Sequence, residues 1–275
     1  MSLIWGIPYL LIRVAIREFS PPTLVFARTL PAALLLLPFA VRRNQLRPLI
    51  PRWRWIVAFA AIELAIPWLF LTRAEQHLTS STAGLLVASV PLLAAVVYRL
   101  SPHTDRLDPR RAFGLLIGFV GVAVLVGFDI GHSNRLALGE MAIVALGYTL
   151  GPLIVSRRLS DVPSLGVIGV AMALTAICYA PFALMRLPAR VDLEVGLSVA
   201  ALSLICTALA FVLFFALIAE VGPSRSTVIT YLNPAIAILL GVVLLGEPFT
   251  AGLALGFPLI VVGSILATGR RGTAA

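Results

Sequence analysis

Two charged side chains stand inside long apolar runs, and they are the first sign of chemistry. Glu63 sits in the stretch Phe59-Ala60-Ala61-Ile62-Glu63-Leu64-Ala65-Ile66-Pro67, and Arg28 lies four residues inside the run that opens at Leu24. At the centre of a bilayer a charge costs at least about 2.5–3.5 kcal/mol on insertion scales, so each needs a reason. A carboxylate withdrawn from water that takes up and releases a proton is what a proton-coupled machine requires. The other reading is a structural ion pair, with Arg28 as the natural partner of Glu63. A Glu63–Arg28 pair serves either role.

Polar and aromatic stripes accompany these charges. Thr227, Thr230, Tyr231 and Pro234 fall at i, i+3, i+4 and i+7, one face of a helix, and Trp5, Tyr9 and Arg13 fall at i, i+4 and i+8. Trp68, Tyr148, Phe211 and Phe214 are placed to complete an aromatic lining, although each ring taken singly reads first as packing or as an interfacial belt. Asn233 offers an amide that suits either a zwitterionic solute or a helix–helix hydrogen bond. The ring of Pro234 frees the carbonyl of Thr230, and Pro91 does the same at Val87. A freed carbonyl at membrane depth is tolerated against protein or a water-filled cavity. The two prolines therefore read as bends or as hinges about a central cavity. Glu140, Glu220 and Glu247 sit at run ends and read as structural. His77, His103 and His132 fall in loops, while Gly114-x3-Gly118 and Gly252-x3-Gly256 read as close helix packing.

The elements that must position these residues follow from composition. Of 275 residues, 60% are apolar and 12% charged, with a mean hydropathy of +1.03. A soluble domain has about 45–50% apolar and about 25% charged residues, so this is an all-α integral membrane chain. Ten runs can form spans: Ser2–Ile16, Leu24–Val41, Trp55–Leu71, Ser80–Tyr98, Ala112–Phe128, Leu138–Val155, Leu165–Met185, Leu193–Ala219, Thr227–Leu245 and Ala251–Thr268. The first is short, which fits either little tilt with Arg13 and Arg17 reaching the surface, or a recorded start downstream of the true one. All 21 basic residues are arginine, a mark of a GC-rich coding bias. With ten crossings, fourteen arginines fall on the side of the termini and six on the other, which places both termini in the cytoplasm. The formal charge of +9 belongs to these loops rather than to a nucleic-acid surface. Cys178 and Cys206 both lie in apolar runs, away from any disulfide or metal pattern.

The two halves resemble each other. Ile7-Pro8-Tyr9-Leu10-Leu11-Ile12-Arg13 aligns with Gly151-Pro152-Leu153-Ile154-Val155-Ser156-Arg157 at an offset of 144, Pro91 aligns with Pro234 at 143, and Gly114-x3-Gly118-Phe119 aligns with Gly252-x3-Gly256-Phe257 at 138. A period of five spans is odd, so the second copy enters from the opposite side. This predicts two inverted five-helix units, residues 1–128 and 138–268, with a short cytoplasmic tail at 269–275. Inverted repeats characterise secondary transporters, which bind solute near the midplane and alternate access by rocking one bundle against the other. Duplication for packing alone is the plainer reading.

The chain resembles the EamA-type members of the drug/metabolite transporter superfamily over nearly its whole length. The resemblance rests on Trp5-Gly6 with a cation at Arg13, Pro21-Pro22 followed by Arg28, Ser89-x-Pro91, and Ser156-Arg157-Arg158. Its most specific part is Tyr231-Leu232-Asn233-Pro234 followed by Leu245-Gly246-Glu247-Pro248. The first copy departs from it, ending in Leu100-Ser101-Pro102. The resemblance implies a ten-helix inner-membrane carrier with a central cavity, usually exporting amino acids or related metabolites.

Missing motifs narrow the field further. Gly-x4-Gly-Lys-Ser/Thr, His-Glu-x-x-His and Gly-x-Ser-x-Gly do not occur in the sequence, so ATP hydrolysis, metalloprotease chemistry and serine hydrolysis lack their residues. The expectation is a secondary transporter with no cofactor, acting as monomer or homodimer in the bacterial cytoplasmic membrane. Its partners would be a small solute and lipid, not nucleic acid. Candidate cavity residues are Trp5, Tyr9, Trp68, Tyr148, Thr227, Tyr231 and Asn233; Glu63 and Arg28 set the charge; Pro91 and Pro234 are the hinges. The alternatives are a gradient-independent facilitator, or a non-transporting receptor or scaffold.

Overall fold

The computed structural model describes residues 1–99, 109–130, 134–221 and 229–268. Among these residues every regular element is helical. Seven helices are long and apolar enough to cross a membrane: α2 (Pro21–Arg42), α3 (Arg47–Ala74), α4 (Ser80–Val97), α5 (Pro109–Phe128), α6 (Arg135–Arg158), α7 (Ser164–Leu184) and α8 (Leu193–Phe214). Three shorter apolar helices accompany them: α1 (Ser2–Ala15), α9 (Leu232–Leu245) and α10 (Ala251–Ala267). The third span starts earlier than its apolar run suggests, because Arg47–Arg52 winds as a 3₁₀ turn ahead of Trp53. Leu34, Phe113, Leu116, Ile177, Leu239 and Val243 are exposed on the outside, the apolar coat expected of a lipid-facing surface.

α1 is interrupted at Ile7, ahead of Pro8, and α5 ends in a π-helical segment over Val126–Ile130. Three further helices are broken within the span, each with a local cause. In α3 the segment Ala60–Ala65 winds as a π-helix, and the Ile66 N–H reaches back five residues to the Ala61 carbonyl. Pro67 follows at once and has no N–H to offer the Glu63 carbonyl. In α8 the segment Leu204–Leu209 is also π-helical, 144 residues further on. There the Thr207 hydroxyl donates to the Leu202 carbonyl at 2.8 Å. In α4 the helix stops at Val87 and resumes at Val90, with Pro91 in its new first turn. The Ser89 hydroxyl donates to the Leu86 carbonyl at 2.6 Å, and Ser264 of α10 donates to the Ala88 carbonyl at 3.4 Å. Hydroxyls thus satisfy carbonyls that the break frees. Pro234, by contrast, lies within an uninterrupted helix, Ile229–Leu245.

Packing follows a regular scheme. α2 lies against α7, α4 against α9, and α5 against α10, each helix touching the one five places later. α1 packs on α8 as α3 packs on α6. One core cluster draws on α1, α4, α6, α9 and α10, through residues such as Ile12, Leu85, Met141, Ala237 and Ile260. A second joins α2, α3 and α7, through Val25, Leu36, Phe59, Leu64, Ile168 and Met172. Tyr148 of α6 packs against both.

Several connections bond to one another. Arg17 pairs with Glu194 at 3.3 Å, and Glu18 accepts the Asp192 N–H at 3.1 Å, joining the α1–α2 and α7–α8 connections. Glu247, between α9 and α10, bonds the first turn of α4, and Asn134 ahead of α6 donates to the His77 carbonyl. Arg52 pairs with Asp161 at 2.6 Å, joining the α2–α3 and α6–α7 connections. Asp161 stands 144 positions after Arg17, and Glu194 stands 142 after Arg52, with the signs exchanged.

Arg52 holds the Asp161 carboxyl below the usual carboxylate range through its hydrogen bond. A depressed carboxylate contributes above its ordinary pKa, and the contribution fades as pH falls through the lowered value. Asp161→Asn is therefore expected to melt slightly below the parent at neutral pH and low salt. The two should coincide at high salt and in acid, because exposed pairs are weak and screened. Thermal melts at both pH values check this.

Candidate functional site

The site begins on α2. Val25, Arg28, Thr29, Ala32, Ala33 and Leu36 are all buried, a stripe at helical spacing that faces α7 and α8, while Leu30, Leu34 and Leu35 face outward. Arg28 thus falls on the packed face because of its register alone, and only 7% of it is exposed. It lies seven residues into α2, about 10 Å below the helix start at 1.5 Å per residue.

Three groups hold the Arg28 side chain and its backbone. Its Nε donates to Thr207 Oγ1 at 2.8 Å, and the Thr207 hydroxyl donates in turn to the Leu202 carbonyl. The guanidinium carbon lies 3.6 Å from the centre of the Trp68 ring, a cation–π contact. The Ser203 hydroxyl donates to the Arg28 carbonyl at 2.8 Å. Tyr9 of α1 and Tyr148 of α6 both lie within electrostatic reach of Arg28. Five helices therefore meet at one cation.

Glu63 is not its ion-pair partner. The salt bridges among the described residues join Arg17 to Glu194, Arg52 to Asp161 and Arg73 to Glu140. Glu63 points to α6 instead, where a Cβ built on Gly151 would fall 2.7 Å from the Glu63 Cβ. Trp68, whose ring stacks on Arg28, is five residues further along α3. This separates the two charges that sequence alone left as a candidate pair. The Glu63 Oε2 is enclosed and has no hydrogen-bond partner among the described residues. Gly147, one turn before Gly151, lets Pro67 and the Ile62 carbonyl lie against α6, so α3 and α6 cross on a small-x3-small pair.

The remaining expected residues are distributed around this centre. Trp5 makes ring contacts with Phe214 at 4.7 Å and Phe211 at 6.0 Å, between α1 and α8. Asn233 lies where α9 crosses α1, its carbonyl 3.1 Å from a Cβ built on Gly6. Thr227 and the Tyr231 side chain lie outside the described residues. Pro91 marks the break of α4, and Pro234 is buried within α9, a helix that packs on α1 and α4.

Three contributors escaped sequence reasoning. Glu75, which the sequence analysis did not single out, is fully buried, both carboxylate oxygens lack a hydrogen bond among the described residues, and Arg13 donates to its backbone carbonyl. Its signal was the position four residues after the buried Leu71. Thr207 stands 144 after Glu63, so the repeat offset pointed to it. Gly147-x3-Gly151 was a legible pair of small residues. Glu247 is structural: its Oε1 accepts the Ser80 N–H at 2.7 Å, and its Oε2 accepts the Ser81 N–H at 3.0 Å and hydroxyl at 2.6 Å.

The model of the EamA-like transporter family matches residues 1–127 and again residues 137–269. The chain belongs to the EamA-like transporter family. That family lies within the drug/metabolite transporter superfamily. The chain is 30% identical over 273 residues to the uncharacterized inner membrane transporter YedA of Escherichia coli strain K12, covering 98% of this chain and 88% of the relative. It is 27% identical over 276 residues to the uncharacterized transporter YvbV of Bacillus subtilis, covering 95% and 87%. An uncharacterized transporter of Archaeoglobus fulgidus is 23% identical over 277 residues, covering 98% and 95%. A crystal structure of a protein 23% identical matches the fold with a TM-score of 0.65 over 97% of this chain and 94% of that one. This EamA-family protein is thus a multi-pass transporter of the bacterial inner membrane, and its family and relatives are transporters rather than enzymes.

Proposed function

We propose that this EamA-family transporter exports small amphipathic metabolites, such as amino acids, by alternating access coupled to protons through Glu63. The observation that carries the coupling is the enclosed Glu63 Oε2, seated on Gly151 with no hydrogen-bond partner among the described residues. A carboxylate held in that way can exist neutral in one access state and charged in another, provided water or solute reaches it in only one of them. Trp5, Tyr9, Trp68, Tyr148, Thr227, Tyr231 and Asn233 line the path in this reading, and Arg28 fixes its charge.

The architecture proposed with it is ten crossings in two inverted units, 1–128 and 138–268, with both termini in the cytoplasm. Several observations support it. The family model matches the chain twice, helices five places apart pack on each other, and two π-helical segments recur at an interval of 144. The α1–α2, α3–α4, α5–α6, α7–α8 and α9–α10 connections bond among themselves, while the α2–α3 connection bonds the α6–α7 one. Such sorting is what alternate crossings produce. The π segments of α3 and α8 join Pro91 and Pro234 as hinge points, since a π turn can move its register by one residue without losing its hydrogen bonds.

Metabolite export from cells tests this. With the intact protein, a small set of metabolites should accumulate outside against their gradient, relative to cells lacking it. Glu63→Gln should lose that uphill movement by about 100-fold or more while keeping one-for-one exchange, because binding and rocking survive and proton uptake does not. Unimpaired uphill export by Glu63→Gln removes the coupling role, and equilibration without accumulation in both proteins makes the chain a facilitator. Absence of flux in cells and in proteoliposomes under an imposed proton gradient sinks the export reading.

A further inference from the structure

We propose that Arg28 is the anchor for a carboxylate, and that the solute carried is an organic monocarboxylate with an apolar body. This rests on the transport reading above and names the substrate class of the same site.

A guanidinium has five N–H donors in a planar fork. Arg28 uses one of them, Nε–H, on Thr207. Among the described residues its Nη1 and Nη2 bond to nothing, and no carboxylate lies within ion-pair distance. Neither nitrogen is among the enclosed unpartnered atoms, so both retain accessible surface although the residue is more than nine-tenths buried. The donors left over are the outer pair, the two that grip a carboxylate side by side. Thr207 fixes the plane of the fork from one edge and Trp68 covers one face, so the guanidinium is pre-set before any ligand arrives.

Charge balance selects the ligand. Arg28 is the only buried cation among the described residues, and the one carboxylate within its electrostatic reach, Glu75, lies within reach of Arg13 as well. A single negative charge neutralises it. A phosphate dianion would bring one negative charge more than the guanidinium balances. Tyr9, Trp68 and Tyr148 then supply ring surface for the apolar body, with phenol hydroxyls rather than further charges at its edge. A guanidinium that served only structure would use its fork on the protein.

Purified full-length protein in lipid nanodiscs provides the test, with benzoate and indole-3-acetate as probes, their amides as uncharged matches, and inorganic phosphate. Both acids are expected to raise the melting temperature and to change tryptophan emission saturably, and the amides to do neither. Arg28→Gln should abolish the response, and Arg28→Lys, which keeps charge but not the fork, should weaken it at least about tenfold. Ligand-free Arg28→Gln should melt at or above the parent, since it removes a buried charge that the protein leaves unpaired. Amides that bind as well as acids, phosphate that binds as tightly as benzoate, or Arg28→Lys that binds unchanged would each overturn the assignment. A lower melting point for ligand-free Arg28→Gln would do the same, by making Arg28 a structural group. Binding is read without flux, so failure of export leaves the anchor standing. Export of neutral solutes or amines without carboxylate binding removes the anchor and leaves the transporter.

Discussion

Gly263→Leu is expected to yield no folded, monodisperse protein. A Cβ built on Gly263 would lie inside the van der Waals envelope of the Gly118 N and Cα and 2.7 Å from the Gly114 carbonyl. These are backbone atoms, which cannot rotate aside as a side chain can. Gly114 in turn meets the Ala267 N and Leu266, Gly121 meets Leu259 and Ile260, and Gly256 faces the Gly121 carbonyl at 3.1 Å. α5 and α10 therefore touch main chain to main chain along most of their length. In lipid there is no hydrophobic gain from joining two apolar helices, so their closeness is the source of their affinity. Overpacking a core typically costs about 1–3 kcal/mol, and prying two backbones apart along a whole interface exceeds that range. Total stabilities are only about 5–15 kcal/mol. Gly139→Ala is the matched control, because nothing lies within 4 Å of its Cβ position. Size-exclusion profiles and melts in one detergent decide it: a Gly263→Leu protein that elutes and melts with the parent would show that the interface yields.

That interface also shows how far sequence reaches. Gly114-x3-Gly118 was visible as a close-packing motif, and both residues lie in the α5–α10 contact. The partner glycine for Gly118 is nevertheless Gly263, outside the Gly252-x3-Gly256 pair, because which turn of α10 meets α5 depends on how the two helices cross. The charged residues behaved similarly. Arg28 and Glu63 stood out by the cost of a charge in hydrocarbon, but their partners did not, since side chains on one helix reach groups that only tertiary packing brings near. Glu63 settles on a glycine of α6 and Arg28 on a threonine of α8. The π segments left almost no trace in the residues. A shift from four to five residues per hydrogen bond needs no special side chain, and only Pro67 hinted at one of the three. Offsets of 144 separate Pro8 from Pro152, the π segment of α3 from that of α8, and Arg17 from Asp161.

Glu247→Ala is expected to lower the melting temperature by about 5–10 °C, the shift that about 2–3 kcal/mol produces in a chain of this size. The first N–H groups of a helix have no partner within it, and α4 begins at Ser80 beneath a carboxylate that comes from the far end of the sequence. Glu247 accepts the Ser80 and Ser81 N–H groups and the Ser81 hydroxyl, while Thr79 caps the Thr82 N–H at 3.2 Å from within α4 itself. Hydrogen bonds to a charged group contribute about 1.5–3 kcal/mol each, and loss of this one side chain strands two backbone donors together. Its negative charge also faces the positive end of the α4 dipole. Two glycines make the reach possible. Gly246 takes φ +65, a left-handed turn that folds Glu247 back. A side chain on Gly241 would collide with the Glu247 and Ser81 oxygens. Glu247→Gln should fall between parent and Glu247→Ala, because an amide accepts through one oxygen while its NH2 opposes a second donor. Ser81→Ala removes the hydroxyl bond alone and should cost about 1 kcal/mol. The ordering Glu247→Ala, Glu247→Gln, Ser81→Ala, from largest loss to smallest, is the signature of a capping carboxylate. Equal losses from the first two would mean that charge rather than hydrogen bonding holds the α9–α10 connection to α4.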